Sequence, residues 1–90
     1  RLPYLGLVFE GDTTIVKGVD PGSPAYRAGL KPGDRLRKLG ADRLGSQAEV
    51  RASVGRLRPG ESVDAPVERG EELLLRVLKA GSRLDAARVK

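Results

Sequence analysis

Three aspartates stand where this 90-residue chain could do acid–base chemistry: Asp12 in a predicted turn, and Asp34 and Asp42 on either side of a predicted strand. Two carboxylates held close together can divide the work of a general acid and a general base. Nothing in the spacing brings Asp34 and Asp42 together as such a pair. The other catalytic types are missing. The chain has no His and no Cys, so the usual zinc sites and the Ser–His and Cys–His nucleophile pairs cannot be built. No disulfide or thiol chemistry is available, which leaves the redox compartment open. The residue types imply no metal and no cofactor, and they argue against catalysis.

Charge narrows the ligand. Seventeen basic and twelve acidic residues leave a formal charge of +5. The arginines are spread along the chain and interleaved with Glu and Asp. There is no basic run, and one Phe and two Tyr are too few aromatics for base stacking. Nucleic acid is therefore not the expected partner. A positive surface steers acidic or carboxylate-bearing ligands. No segment approaches the ~20 apolar residues of a membrane span. The chain starts at Arg1 without a Met, which reads as a fragment of a longer protein.

The elements that must position a site follow from pattern. Residues 4–10 and 13–19 read as strands joined by a Gly11-Asp12 turn. A short helix is predicted at about 24–29 and a third strand at 34–39. Gly40-Ala41-Asp42 reads as a turn, with a short strand at Arg43-Leu44. Ser46 can cap a helix over about 47–57, with Glu49 at capping-box spacing and Val50, Val54 and Leu57 on one face. Arg58-Pro59-Gly60 stops it. A strand over 62–69 carries Pro66, which cannot donate to a ladder and marks an edge or a bulge. Arg69-Gly70-Glu71 turns into a last strand, Leu73 to Leu78. The fold class is mainly β with two helices (α+β). It is a small, partly open antiparallel barrel of five or six strands, capped by one short and one longer helix. Residues 1–80 form the domain, and 81–90 read as a tail or linker.

Residues 22–34, Gly-Ser-Pro-Ala-Tyr-Arg-Ala-Gly-Leu-Lys-Pro-Gly-Asp, carry the most structural information. Ser23 can cap a helix that begins at Pro24, where a missing N–H costs nothing. Gly29 can take the left-handed conformation that closes it. Pro32-Gly33-Asp34 turns the chain into the next strand. This stretch resembles the signature of PDZ domains, bacterial ones in particular. Tyr4-Leu5-Gly6-Leu7 and the Leu57-Arg58-Pro59-Gly60-Glu61 stop before a strand hairpin extend the resemblance over about residues 3–79. It implies the bacterial, circularly permuted arrangement found in protease-associated modules. High-temperature-requirement serine proteases, processing proteases, site-2 metalloproteases and glycyl aminopeptidases carry such modules, and the Leu-Gly-Leu start leans toward the last.

The resemblance implies a site. Tyr4, Leu5, Gly6 and Leu7 are similar to the carboxylate-binding loop of the family. Successive backbone N–H groups in a glycine-containing turn can form a nest for an anion. A peptide would then extend along Val8 and Phe9 as an added strand, with Gln47, Val50, Arg51 and Val54 of the longer helix lining the groove. Gln47 stands where the family often places a specificity residue, and Arg51 shares its rim. The implied partners are C-terminal or extended peptides of protein substrates, together with a parent protease domain. Location in the cell envelope or periplasm follows from the same resemblance. The alternative reading is an assembly domain with a fixed protein partner, for example in a secretion apparatus. An independent enzyme is disfavoured. Asp12-Thr13 is similar to an aspartic-protease motif, but Thr14 replaces its glycine and no second copy exists.

Overall fold

The computed structural model describes residues 3–82. The chain runs through β1 (Pro3–Tyr4), β2 (Leu7–Phe9), β3 (Val16–Val19), α1 (Pro24–Arg27), β4 (Arg35–Leu36), β5 (Lys38–Leu39) and β6 (Asp42–Arg43). It continues through α2 (Gln47–Gly55), β7 (Ser62–Asp64), β8 (Val67–Arg69), β9 (Glu72–Leu74), β10 (Val77–Lys79) and β11 (Gly81–Ser82). Every strand pairing among the described residues is antiparallel. This is the mainly-β fold with one short and one longer helix that the sequence predicts.

The expected strands are interrupted, and each interruption has a local cause. Gly6, at φ 84°, separates β1 from β2. Pro66 has no N–H to give, so the predicted 62–69 strand breaks at Ala65-Pro66 into β7 and β8. The facing strand breaks opposite, at Leu75-Arg76, and the Ala65 N–H donates to the Arg76 carbonyl at 2.7 Å across the bend. The bend lets β8 pair with both β4 and β9 while β7 pairs with β10. Arg37 breaks the third strand because its N–H turns to the Pro66 carbonyl.

Element ends also move by a residue or two. Gly40 and Ala41 alone make the third turn, so the following strand is Asp42–Arg43 and not Arg43-Leu44. Leu44 instead turns inward and is buried. α1 stops at Arg27, with Gly29 left-handed at φ 87° just beyond it. α2 stops at Gly55, capped by Arg56. Just past residue 80, β11 pairs with β1 in the register Pro3↔Ser82 and Tyr4↔Gly81. Gly81 fits because an added Cβ would lie only 3.3 Å from Pro24 Cγ. The remainder of the expected tail, 83–90, lies outside the described residues.

The core gathers Leu5, Phe9, Val16, Leu36, Val67 and Leu78 beneath the curled sheet, with Ala25 and Leu30 from the α1 region and Val50 from α2. Into this core the chain sinks one carboxylate. The Asp34 side chain is only 1% exposed, and Arg69 donates to both its oxygens, each at 2.8 Å. The Lys31 N–H also donates to it at 2.9 Å, and the same guanidinium donates to the Gly29 carbonyl at 2.9 Å. The turn after α1 is thereby locked to the β8 strand.

Candidate functional site

The loop between β1 and β2 is shaped by the capped helix below it. Ser23 Oγ accepts from the Tyr26 N–H at 3.2 Å, as an N-cap should. The Ala25 N–H donates to the Leu5 carbonyl and the Asp20 N–H to the Gly6 carbonyl, both at 2.9 Å. In a trans peptide the carbonyl and the next N–H point opposite ways. With those two carbonyls turned onto α1 and Asp20, the N–H groups of Gly6 and Leu7 point away from them. Neither N–H has an acceptor among the described residues. Gly6 is required for this geometry twice over: its φ is positive, and a methyl group there would overlap the Ser23 side chain.

β2 continues the open edge. It pairs only with β3 among the described residues. Because the Asp20 N–H already bonds the Gly6 carbonyl, Leu7 and Val19 face each other as a non-hydrogen-bonded pair. Leu7 therefore turns its own N–H and carbonyl outward. Past Val8 the register shifts, with Lys17 as the extra residue on β3. The result is a strand edge with unused main-chain groups facing away from its sheet.

α2 stands across from that edge. Ser46 Oγ accepts from the Glu49 N–H at 3.2 Å, and Glu49 Oε1 reaches back to the Gly45 N–H at 2.7 Å. This is the capping-box exchange displaced by one residue. Asp12 Oδ1 accepts from the Gln47 N–H at 3.1 Å, which ties the start of α2 to the β2–β3 turn. The helix therefore runs back toward the Leu5–Leu7 loop, antiparallel to β2. Between them lies a groove of about 510 Å³.

All ten residues singled out from the sequence line this groove: Tyr4, Leu5, Gly6, Leu7, Val8 and Phe9 on one side, Gln47, Val50, Arg51 and Val54 on the other. They do not all play alike. Leu5, Phe9 and Val50 are buried and belong to the core as well as to the floor. Leu7 and Val54 are half-buried and available. Val8 is 51% exposed, on the outer side of the strand. Tyr4 stands in β1, and its hydroxyl donates to Asp20 Oδ2 at 2.6 Å. Pro3, Asp20 and Gly55 complete the lining and were not legible beforehand. The hold of Asp12 on α2 was also missed, since its partner is 35 residues away and no local pattern announces the contact.

The aspartates considered for catalysis are structural. Asp34 is buried and held by Arg69, and neither residue lines the groove. Asp42 accepts from Arg56 and, at 2.7 Å, from Ser53 Oγ, and these bonds hold its carboxyl below the ordinary range.

Comparison with known proteins agrees with the geometry. The PDZ domain model matches residues 3–79, and the chain belongs to the PDZ family. A protein of Neisseria meningitidis serogroup A named as a candidate zinc metalloprotease is 42% identical over 66 residues, covering 73% of this chain and 15% of its own length. A Hahella chejuensis protein named as a candidate periplasmic, DegP-like serine endoprotease is 38% identical over 60 residues, covering 66% of this chain and 13% of its own. The chain thus spans about one seventh of the length of these curated relatives, within their PDZ region. The aminopeptidase leaning of the Leu-Gly-Leu start is met by likeness of fold alone: an aminopeptidase N family protein from Idiomarina loihiensis superposes at a TM-score of 0.74, with 23% identity over 86% of this chain and 13% of that one. Among solved structures, the HtrA-type protease AlgW with a decapeptide superposes at a TM-score of 0.84, with 24% identity over 91% of this chain and 30% of that one. The HtrA3 PDZ domain bound to a phage-derived ligand superposes at 0.73, with 23% identity over 87% of this chain and 84% of that one.

Proposed function

We propose that this domain captures the free C-terminal end of an extended peptide by strand addition, as a substrate-recognition or regulatory module of a bacterial protease. The carrying observation is the β2 edge, where the N–H groups of Gly6 and Leu7 have no acceptor among the described residues and α2 faces them across the groove. A terminal carboxylate fits the two N–H groups. The following main chain pairs with Leu7 and Phe9, and the last side chain enters between Leu5, Leu7, Val50 and Val54. One buried aliphatic side chain and a short run of main-chain hydrogen bonds correspond to a dissociation constant on the order of micromolar. Two superposable PDZ-containing structures, one with a decapeptide and one with the ligand FGRWV, support this reading. The relatives' names support a protease as the parent chain, and the DegP-like one supports a periplasmic setting.

The experiment is an amide-resolved NMR titration with a pentapeptide ending in valine. Shifts should concentrate on residues 5–9 and 47–54. A response centred instead on the exposed Leu73, Leu75 and Val77, in and between β9 and β10, would contradict the proposal.

A further inference from the structure

Among the described residues the groove is lined by one cation, whose placement is more specific than the net charge. Arg51 lines the groove and has no ion-pair partner among the described residues. It is not loose, however. Gln47 lies one turn before it, and in the amide orientation that satisfies both ends Gln47 donates to the Gly11 carbonyl at 2.8 Å and accepts from an Arg51 guanidinium nitrogen at 3.1 Å. The Gln47 backbone is fixed in turn by Asp12 at 3.1 Å. The β2–β3 turn therefore steadies Gln47, and Gln47 steadies the guanidinium on the groove side of α2. An arginine that is merely solvated has no such support.

The level of that guanidinium along a bound strand follows from two rises. α2 advances about 1.5 Å per residue and an extended peptide about 3.3 Å. If the last side chain lies level with Val54, at the loop end of the groove, Arg51 stands about 4.5 Å farther along and Gln47 about 10 Å. Successive strand side chains alternate in direction. The last side chain points into the groove, the second-last points out, and the third-last again faces α2, about 6.6 Å along. That level falls between Arg51 and Gln47. Asp12 lies beyond it, at the start of the helix, and disfavours an acidic side chain farther out.

We infer that the groove selects peptides with a carboxylate side chain, Asp or Glu, at the third residue from the C-terminus, read by Arg51 with Gln47 as its positioning residue. This rests on the peptide-capture reading and adds a sequence requirement to it. Two pentapeptides that end in valine and differ only by Glu or Gln at the third-last position test it by fluorescence anisotropy at low salt. The Glu peptide should bind about three- to fivefold more tightly, and the ratio should shrink toward one as salt rises. In Arg51→Ala the ratio should fall to one, whatever change in affinity the two peptides share. In Gln47→Ala the ratio should fall part of the way. Equal binding of the two peptides, or a ratio that survives in Arg51→Ala, overturns the Arg51 assignment and leaves peptide capture intact. If neither peptide binds, capture fails and this selectivity fails with it.

Discussion

Replacing Asp34 by Asn will lower the melting temperature of the domain by about 10–20 °C. The carboxylate is almost fully buried and meets Arg69 through two parallel hydrogen bonds. Removing one partner of a buried pair costs about 3–5 kcal/mol. The side chain of the partner, Arg69, is 32% exposed, so water can take up part of its charge and the loss is set at about 2–3 kcal/mol. Burial pushes the Asp34 carboxyl up, but the Arg69 hydrogen bonds and the Lys31 N–H outweigh it and leave the group below its ordinary value. The folded state therefore holds this proton more weakly than the unfolded chain. The stabilisation is complete above the unfolded aspartate value of about 3.9 and is lost as pH falls through the lower, folded value. Thermal unfolding followed by circular dichroism from pH 7 to pH 2 should show the wild type approaching the variant at the acid end. A variant within 2 °C of wild type at pH 7 would show that the pair contributes little.

Replacing Gly6 by Ala will cost stability and peptide binding together. A left-handed backbone costs an L-residue about 1–2 kcal/mol, and the new methyl also meets the Ser23 side chain at the cap of α1. Overlap in a packed site adds about 1–3 kcal/mol. Relief of either strain rotates the peptide planes on which the outward Gly6 and Leu7 N–H groups depend. Urea unfolding should show a loss of about 2–5 kcal/mol, and peptide affinity should fall at least tenfold. Adding Ser23→Gly removes the overlap at little cost to the cap, since glycine is a tolerable N-cap. The double variant should recover part of the stability and little of the binding. If Gly6→Ala binds peptide like the wild type, the loop does not hold the carboxylate.

The two residues differ in how plainly the sequence announced them. Gly6 sits in a short motif whose chemistry is local, and so do the Ser23 cap, the Gly29 terminus and the Gln47–Val54 face. Local backbone preference and side-chain period were enough to find them. Asp34 was legible only as part of a turn. Its burial depends on Arg69, 35 residues later, and aspartates are normally exposed. Distance hid the hold of Asp12 on Gln47 in the same way. The paired breaks in the long hairpin were half-visible: Pro66 announced one arm, but nothing in Leu73 to Leu78 announced the matching bend at Leu75-Arg76, which its cross-strand partner imposes. β11 was missed because Gly81 and Ser82 carry no strand signal and take their conformation from β1.

The central claim is that the groove reads a free chain end through the loop at Leu5–Leu7. Paired peptides of one sequence ending in valine, one a free acid and one a C-terminal amide, test it most directly by fluorescence anisotropy. The free acid should bind at least tenfold more tightly, about 1.4 kcal/mol, because the amide lacks the charge that the two N–H groups receive. Equal affinity for acid and amide would contradict the account.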